Sequence, residues 1–438
     1  MSTPILIKNA RCVSSNGIIQ QDVLLAEGII AKVGKIAERE GDHIIDATHL
    51  HLLPGALDPQ VHFRDPGLTH KEDLRTGSMA AAAGGVTGFF DMPNTNPSTT
   101  SVSLMEARKA DAATKCVVNY NFFMGATPEN VDALNAVKNV PGIKIFMGSS
   151  TGNLLVSEVE ALDRIFGNGS RLIAVHAEDD GIINAQKEIY KSSRDFGHHP
   201  MVRPPEAALK ATTLAVELSI KYQRRLHILH LTTSDEVAYL RIQKSKGPIS
   251  TEVCPQHFLF SAPQIYAKLG AYAQMNPPIR DGSHGEALWQ GLQDGIIDCI
   301  ATDHAPHTHE EKANPFGSAP SGMPGVETSL PLMLDRAHRG FCKVEDVVKW
   351  MCEKPVSLYK VQNKGHIKAG YDADLVLVDL EKQKTIENGK LFTKVNWSPY
   401  DGWTTTGWPV TTIVNGQIVF DEGQIVPGVL GKEILISD

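Results

Sequence analysis

The stretch Leu52-Leu53-Pro54-Gly55-Ala56-Leu57-Asp58-Pro59-Gln60-Val61-His62-Phe63-Arg64-Asp65-Pro66-Gly67 passes from an apolar run into a polar turn. Leu52–Asp58 reads as a buried strand, because a short apolar run bounded by turn residues suits a strand covered on both faces. The strand then stops, and a histidine, a carboxylate and an arginine follow in a Gly/Pro turn. In parallel β/α architectures functional groups collect at such strand ends, so this is a place for metal chemistry.

Seven more short apolar runs follow: Val86–Phe90, Val117–Asn121, Ile143–Phe146, Leu172–His176, Leu226–His230, Ile249–Glu252 and Cys299–Asp303. Between them lie longer amphipathic stretches at Lys71–Ala83, Ser103–Ala113, Glu129–Val137, Ser157–Phe166, Pro205–Lys221, Ser234–Lys246 and Gly285–Leu292, several opening on a capping Ser, Thr or Asp. This alternation predicts an α/β fold with a parallel sheet, and eight strands predict a (β/α)8 TIM-type barrel. The two ends differ from this middle. Ile5–Val33 and Asp374–Val426 carry short β-rich runs punctuated by Glu27-Gly28, Asn415-Gly416 and Glu422-Gly423 turns. They predict one small β-domain built from both termini, residues 1–54 and 363–438, beside a barrel at residues 55–362.

A chain of 438 residues is long enough for such a barrel with an accessory domain. Its six cysteines fall in no zinc-ribbon spacing and sit mostly in apolar runs, which predicts reduced core residues in a cytoplasmic protein. No apolar run is long enough to span a bilayer, and the N-terminus has no signal-peptide pattern, so a soluble, unprocessed protein is expected. The net charge of -8 comes from interspersed charges with no basic stripe, which argues against nucleic acid as a partner.

Polar residues gather at the strand ends. His62 follows strand one, Asn94 follows strand two, Lys144 lies in strand four, and His176, His230 and Asp303 end strands five, six and eight. Each alone reads as a hydrogen-bonded structural residue; together they suggest a site. Imidazoles and a carboxylate suit a borderline-soft divalent ion such as zinc, which favours nitrogen and oxygen donors and leaves a position for water. Lys144, in Gly142-Ile143-Lys144-Ile145-Phe146, is surrounded by apolar residues. An ammonium buried there is costly and cannot bind a cation, so the residue is either a snorkelling lysine or a functional one.

The densest motif is Asp303-His304-Ala305-Pro306-His307, followed by Lys312. With the His62-Phe63-Arg64 turn, Met92-Pro93-Asn94, His176-Ala177-Glu178, His230-Leu231-Thr232-Thr233, Asn276-Pro277-Pro278 and Ser321-Gly322-Met323-Pro324-Gly325, it resembles the bacterial type I dihydroorotases of the amidohydrolase superfamily, in order and over most of the chain. The resemblance implies a β-sandwich formed by the termini, and zinc, one or two ions per chain, held by His62, Lys144, His176, His230 and Asp303. It implies that Lys144 carries a carbamate derived from carbon dioxide. It further assigns Asp303 as the catalytic acid/base, Arg64 and Asn94 to the substrate carboxylate, and Asn276 and His307 to the substrate. His304, His309 and the Glu310-Glu311 pair read as loop and helix-start residues.

Two positions depart from the family pattern: Gln60 stands where the first histidine of His-x-His is usual, and Gln256 where Cys-Pro-His-His is usual. Glutamine offers a carbonyl oxygen but is a weak zinc ligand, so a second metal beside Gln60 is expected to bind less firmly. The implied activity is reversible hydrolysis of L-dihydroorotate to N-carbamoyl-L-aspartate in pyrimidine synthesis. The alternatives are allantoinase or dihydropyrimidinase, against which Arg64 argues, and a non-catalytic dihydroorotase-like subunit supporting aspartate transcarbamoylase. A homo-oligomer and a transcarbamoylase partner are further expectations. Asn314–Pro324, rich in Gly, Ser and Pro, is the expected lid over the substrate.

Overall fold

The computed structural model describes residues 3–149 and 154–437. Its centre is a ring of parallel strands alternating with helices. Strand one, Ala56–Val61, pairs with strand two, Val86–Asp91, which pairs with the first piece of strand three, Asn119–Phe122. A second arc runs from the other piece of strand three, Met124–Gly125, through Ile143–Phe146, Ile173–His176, Leu226–Ile228 and Ile249–Val253 to Cys299–Ile300. The arcs share strand three, and they meet again where Val61 bridges to His304 and the His62 amide donates to the His304 carbonyl at 2.7 Å. The barrel is therefore closed. Helices such as Leu74–Ala83, Val102–Lys115 and Pro205–Tyr222 pack outside it, their Ala80, Ala112 and Ala215 buried in the main core with Phe89, Ile145 and Ile228 of the strands.

The expected first strand is split. His51–Pro54 belongs to the terminal sheet, pairing with Leu375–Val378, and the barrel strand begins only at Ala56 and runs through Gln60 to Val61. Gly55 is the pivot: its amide donates to the Asp374 carbonyl at 2.8 Å, and a Cβ there would lie 2.0 Å from the Thr87 hydroxyl oxygen. Leu52 and Leu53 are apolar because the terminal sheet also buries them, which is why the run read as one strand.

Both termini build one nine-stranded, mostly antiparallel sheet. The edge strand Ile29–Gly34 returns to the segment before Leu375: the Ile30 amide donates to the Tyr371 carbonyl at 2.8 Å and the Ala373 amide to the Gly28 carbonyl at 3.0 Å. The sheet thus wraps around a core of Ile7, Val23 and Leu25 with Leu375, Leu377 and Ile413. Val376 and Val378, on the opposite face, join the core of the barrel, so alternate residues of one strand glue the two units together. All six cysteines are free, and among the described residues no helix is long and apolar enough to cross a membrane.

Candidate active site

The strand ends are shaped by backbone as well as side chains. Arg64, His230 and Asp303 adopt left-handed conformations, with φ of 63°, 38° and 47°. Non-glycine residues pay for this region sterically, and such positions cluster at functional sites. Here each left-handed residue follows the end of a strand, at strands one, six and eight, and the turn aims its side chain at one cavity in the barrel mouth. Gln60, His62, Arg64, Asn94, Lys144, His176, His230, Asn276 and Asp303 all line that cavity. His307 does not; it is fully buried beside Arg64.

One side of the cavity gathers groups that need a cation. Among the described residues nothing hydrogen-bonds the Lys144 amine, the His230 Nδ1 or the Gln60 carbonyl oxygen, although buried polar atoms are nearly always paired. Burial pushes the Lys144 amine down to about 7, only partly offset by Asp303 and Glu252. At neutral pH much of it is the uncharged amine, the form able to add carbon dioxide. His176 Nε2 lies 2.9 Å from Glu178, so that nitrogen donates and Nδ1 keeps its lone pair facing His230 Nε2 at 3.1 Å. Burial pushes both rings down toward the neutral form, which can ligate. His62 Nδ1 faces the Asn94 side-chain oxygen at 2.7 Å, while Nε2 meets Asp303 at 3.0 Å. An imidazole that donates to Asn94 presents its lone pair to the carboxylate, an arrangement that a shared cation reconciles. These residues fit a divalent metal.

Behind them, Glu178 orients His176 and is itself gripped by Arg203, whose Nε lies 3.1 and 3.0 Å from the two carboxylate oxygens. Burial raises the Glu178 carboxyl, but Arg203 and His176 together outweigh it and hold the group well below the usual carboxylate range. Carboxylates of this kind fix the tautomer and aim of a ligand histidine. In the sequence Glu178 is visible only as part of a motif, and nothing marks Arg203 as its partner.

The two glutamines have separate partners. Gln60 donates to Asp303 at 3.1 Å, and Gln256 donates to the Thr302 carbonyl at 2.7 Å.

The opposite side of the cavity is cationic. Arg64 is buried, and its Nε donates to the Pro306 carbonyl at 3.2 Å while Nη2 lies 3.1 Å from His307 Nε2. Among the described residues it has no salt bridge: Asp65 pairs with Lys115 and Glu72 caps the Thr393–Lys394 turn. Burial lowers the guanidinium to about 10, so it stays charged at neutral pH. Burial and the neighbouring Arg64 push His307 down to about 3, leaving it neutral, so it steadies Arg64 without adding charge. Asn276 is held by His199 at 3.1 Å. Ser321 and Gly322, from the expected lid segment, complete the wall. Gly322 has φ 139° and a Cβ there would lie 2.3 Å from the Ala305 carbonyl, so only glycine lets this loop lie so close to the barrel mouth. His304, by contrast, is a structural residue, its Nδ1 accepting from the Gly325 and Val326 amides, and His309 starts a short helix capped by Thr308.

The family model described as "Amidohydrolase family" matches residues 51–419. The chain belongs to the amidohydrolase family. This amidohydrolase is 36% identical to the dihydroorotase of Methanosarcina acetivorans over 437 residues, covering 96% of this chain and 92% of the relative. It is also 36% identical to the dihydroorotase of Halobacterium salinarum, over 94% of this chain and 99% of that protein. Among solved structures, the L-hydantoinase (dihydropyrimidinase) of Arthrobacter aurescens superposes with a TM-score of 0.94 at 29% identity, covering 99% of this chain and all of the other. The amidohydrolase is accordingly an enzyme, a metal-dependent cyclic amidohydrolase, with the fold expected from its alternating strands and helices.

Proposed function

We propose that this amidohydrolase is a dihydroorotase, a cytoplasmic enzyme of pyrimidine synthesis that reversibly hydrolyses L-dihydroorotate to N-carbamoyl-L-aspartate. The observation that carries the reading is Arg64, a buried guanidinium that lines the cavity and, among the described residues, makes no salt bridge. A buried cation calls for an anion, and the planar fork of arginine suits a carboxylate, which it can bind through two parallel hydrogen bonds. The names of the relatives agree with this choice.

In this reading Arg64 and Asn94 hold the substrate carboxylate, Asn276 contacts the ring, and His307 holds Arg64 in place. His62, Lys144 as its carbamate, His176, His230 and Asp303 would hold zinc, with Gln60 a weak donor beside them. Bound zinc polarises a carbonyl and brings the ionisation of water toward neutral pH. Asp303 moves the proton: in hydrolysis it accepts one from the attacking water and delivers it to the departing ring nitrogen. In ring closure the same carboxyl starts protonated, by microscopic reversibility. The Gln60 amide, donating to Asp303, keeps that carboxylate aimed at the cavity.

The structural likeness to a dihydropyrimidinase favours a second reading, a cyclic amidohydrolase whose ring substrate lacks the carboxylate. Assaying the zinc-loaded protein on dihydroorotate, dihydrouracil, hydantoin and allantoin separates the two. Turnover of dihydroorotate far above the rest is expected; a preference for rings without a carboxylate would overturn the proposal, and no turnover of any would point to a non-catalytic subunit. The homo-oligomer and the transcarbamoylase partner belong to the same reading and are tested by measuring particle mass with and without aspartate transcarbamoylase.

A further inference from the structure

Deeper in the barrel than the cavity, strands six, seven and eight each contribute one side chain to a second cluster. His227, Glu252 and Cys299 are all fully buried, and their ligand atoms lie within 4.8 Å of one another. The register of the sheet sets this up: His227 is level with Ser250, and Glu252 with Cys299, on neighbouring parallel strands. None of the three lines the cavity described above.

The cluster is incompletely satisfied. Glu252 uses one oxygen toward His227 Nε2 at 3.0 Å, but its other oxygen is buried with no partner. The Tyr359 hydroxyl is also buried without one, and its ring lies 5.4 Å from that of His227. Among the described residues Cys299 Sγ has only the Thr251 carbonyl, at 4.0 Å. A buried carboxylate with a free oxygen costs stability unless something positive faces it. His227 Nδ1 lies 2.8 Å from the Ser250 hydroxyl oxygen, which in turn lies 3.2 Å from the Leu226 carbonyl. When a metal replaces the Nε2 proton, the proton can sit on Nδ1 and donate to Ser250, which donates to Leu226, so that the Nε2 lone pair is free to ligate beside Glu252.

We propose that His227, Glu252 and Cys299 form a second, structural metal site for a zinc-class divalent cation that ties strands six, seven and eight together beneath the active site. One nitrogen, one oxygen and one sulfur donor suit zinc, with distances of about 2.0–2.3 Å to each. The charges balance: a divalent ion replaces the thiol proton of Cys299, one proton is released, and the carboxylate and thiolate neutralise the metal. In the absence of metal, burial, reinforced by Glu252, keeps Cys299 a thiol. Because all three donors are sealed inside the barrel, the ion is captured as the strands assemble and leaves slowly in chelator.

Sulfur separates this site from the active site, whose donors are nitrogen and oxygen. The test uses the full chain, refolded with zinc or with cobalt(II). Zinc-edge X-ray absorption of the unmodified protein should show a sulfur neighbour at about 2.3 Å, and the cobalt form a near-ultraviolet thiolate charge-transfer band. Cys299→Ser should remove both signals and about one metal per chain, as expected when a zinc site loses its thiolate, while Cys254→Ser keeps them. A zinc spectrum without sulfur, or a band that survives in Cys299→Ser, would overturn the proposal. If Cys299→Ser does not fold, the absorption spectrum of the unmodified protein decides alone.

Discussion

The side-chain amide of Gln60 donates to Asp303 at 3.1 Å, while the Gln60 carbonyl oxygen is buried without a partner. The residue is thus turned with its one metal donor, the carbonyl oxygen, free and its amide occupied by the carboxylate. A metal beside strand one gains only that carbonyl from Gln60, where an imidazole would be the better ligand. The purified protein should hold clearly fewer than two active-site metals per chain, and Gln60→His should tighten the weaker one by roughly 10-fold or more, the scale on which ligand-sphere changes act. Metal titration followed by activity checks this; two tightly held metals in the Cys299→Ser variant, in which only the active site binds metal, would refute it.

Arg64→Ala should leave metal content intact and cut kcat/KM for dihydroorotate by about 30-fold to several thousand-fold, since losing one partner of a desolvated charge pair costs roughly 2–5 kcal/mol. Near-normal turnover would remove the assigned role. Arg64→Gly should be as inactive yet more stable than Arg64→Ala by about 1 kcal/mol, because glycine accepts the left-handed backbone that alanine resists. Denaturant unfolding of the two metal-free variants measures the difference.

Much of this site was legible because its residues come at strand ends and the strands are apolar. Ile143–Phe146 matches the expected strand to the residue; His62, Asn94, Lys144, His176, His230 and Asp303 stand out at strand ends, whereas Gln60 and Asn276 are marked only by the family motifs. Strand one was misplaced because Leu52 and Leu53 are as apolar in the terminal sheet as they would be in the barrel. Helix Ser329–His338 carries Pro331 in its first turn, where the missing N–H costs nothing, so a residue that breaks helices elsewhere masks this one in the sequence. His307 was expected to face the substrate and instead backs Arg64, a matter of side-chain direction that spacing does not encode. The Arg203 clamp on Glu178 joins a strand end to a later helix, so no local pattern announces it.

Lys144→Ala should lose metal and activity together, and millimolar short carboxylates should restore part of both by taking the place of the carbamate. Unchanged metal content would make Lys144 merely structural. The pH dependence follows from the lowered amine. Reactivation of metal-free protein with zinc and bicarbonate should slow as pH falls through about 7, where the amine protonates and stops adding carbon dioxide. Between about 7 and 10.5 the unfolded chain holds a proton on this lysine that the folded protein lacks, so the stability of the metal-free protein should rise with pH across that window.

Glu178→Gln keeps a group able to accept from His176 but removes the charge that Arg203 grips. The variant should bind metal 10- to 100-fold more weakly, the usual cost of disturbing a partner of a ligand histidine, and should lose roughly 3–5 kcal/mol of stability because Arg203 is left as a buried charge without its counterion. Zinc affinity and chemical denaturation report the two effects separately. Unchanged zinc affinity would mean that His176 needs no such support.

In the terminal sheet, Leu375–Thr385 sits between His51–Pro54 and Thr404–Val414. A ribosome makes His51–Pro54 long before its partner exists, so a nascent chain carries that strand with an open edge throughout synthesis of the barrel. Non-local pairings form late and leave unpaired edges exposed to other chains meanwhile. The barrel, contiguous in sequence, needs no such wait. Newborn molecules therefore carry an exposed edge at His51–Pro54 until Leu375–Val378 has been made and can pair with it.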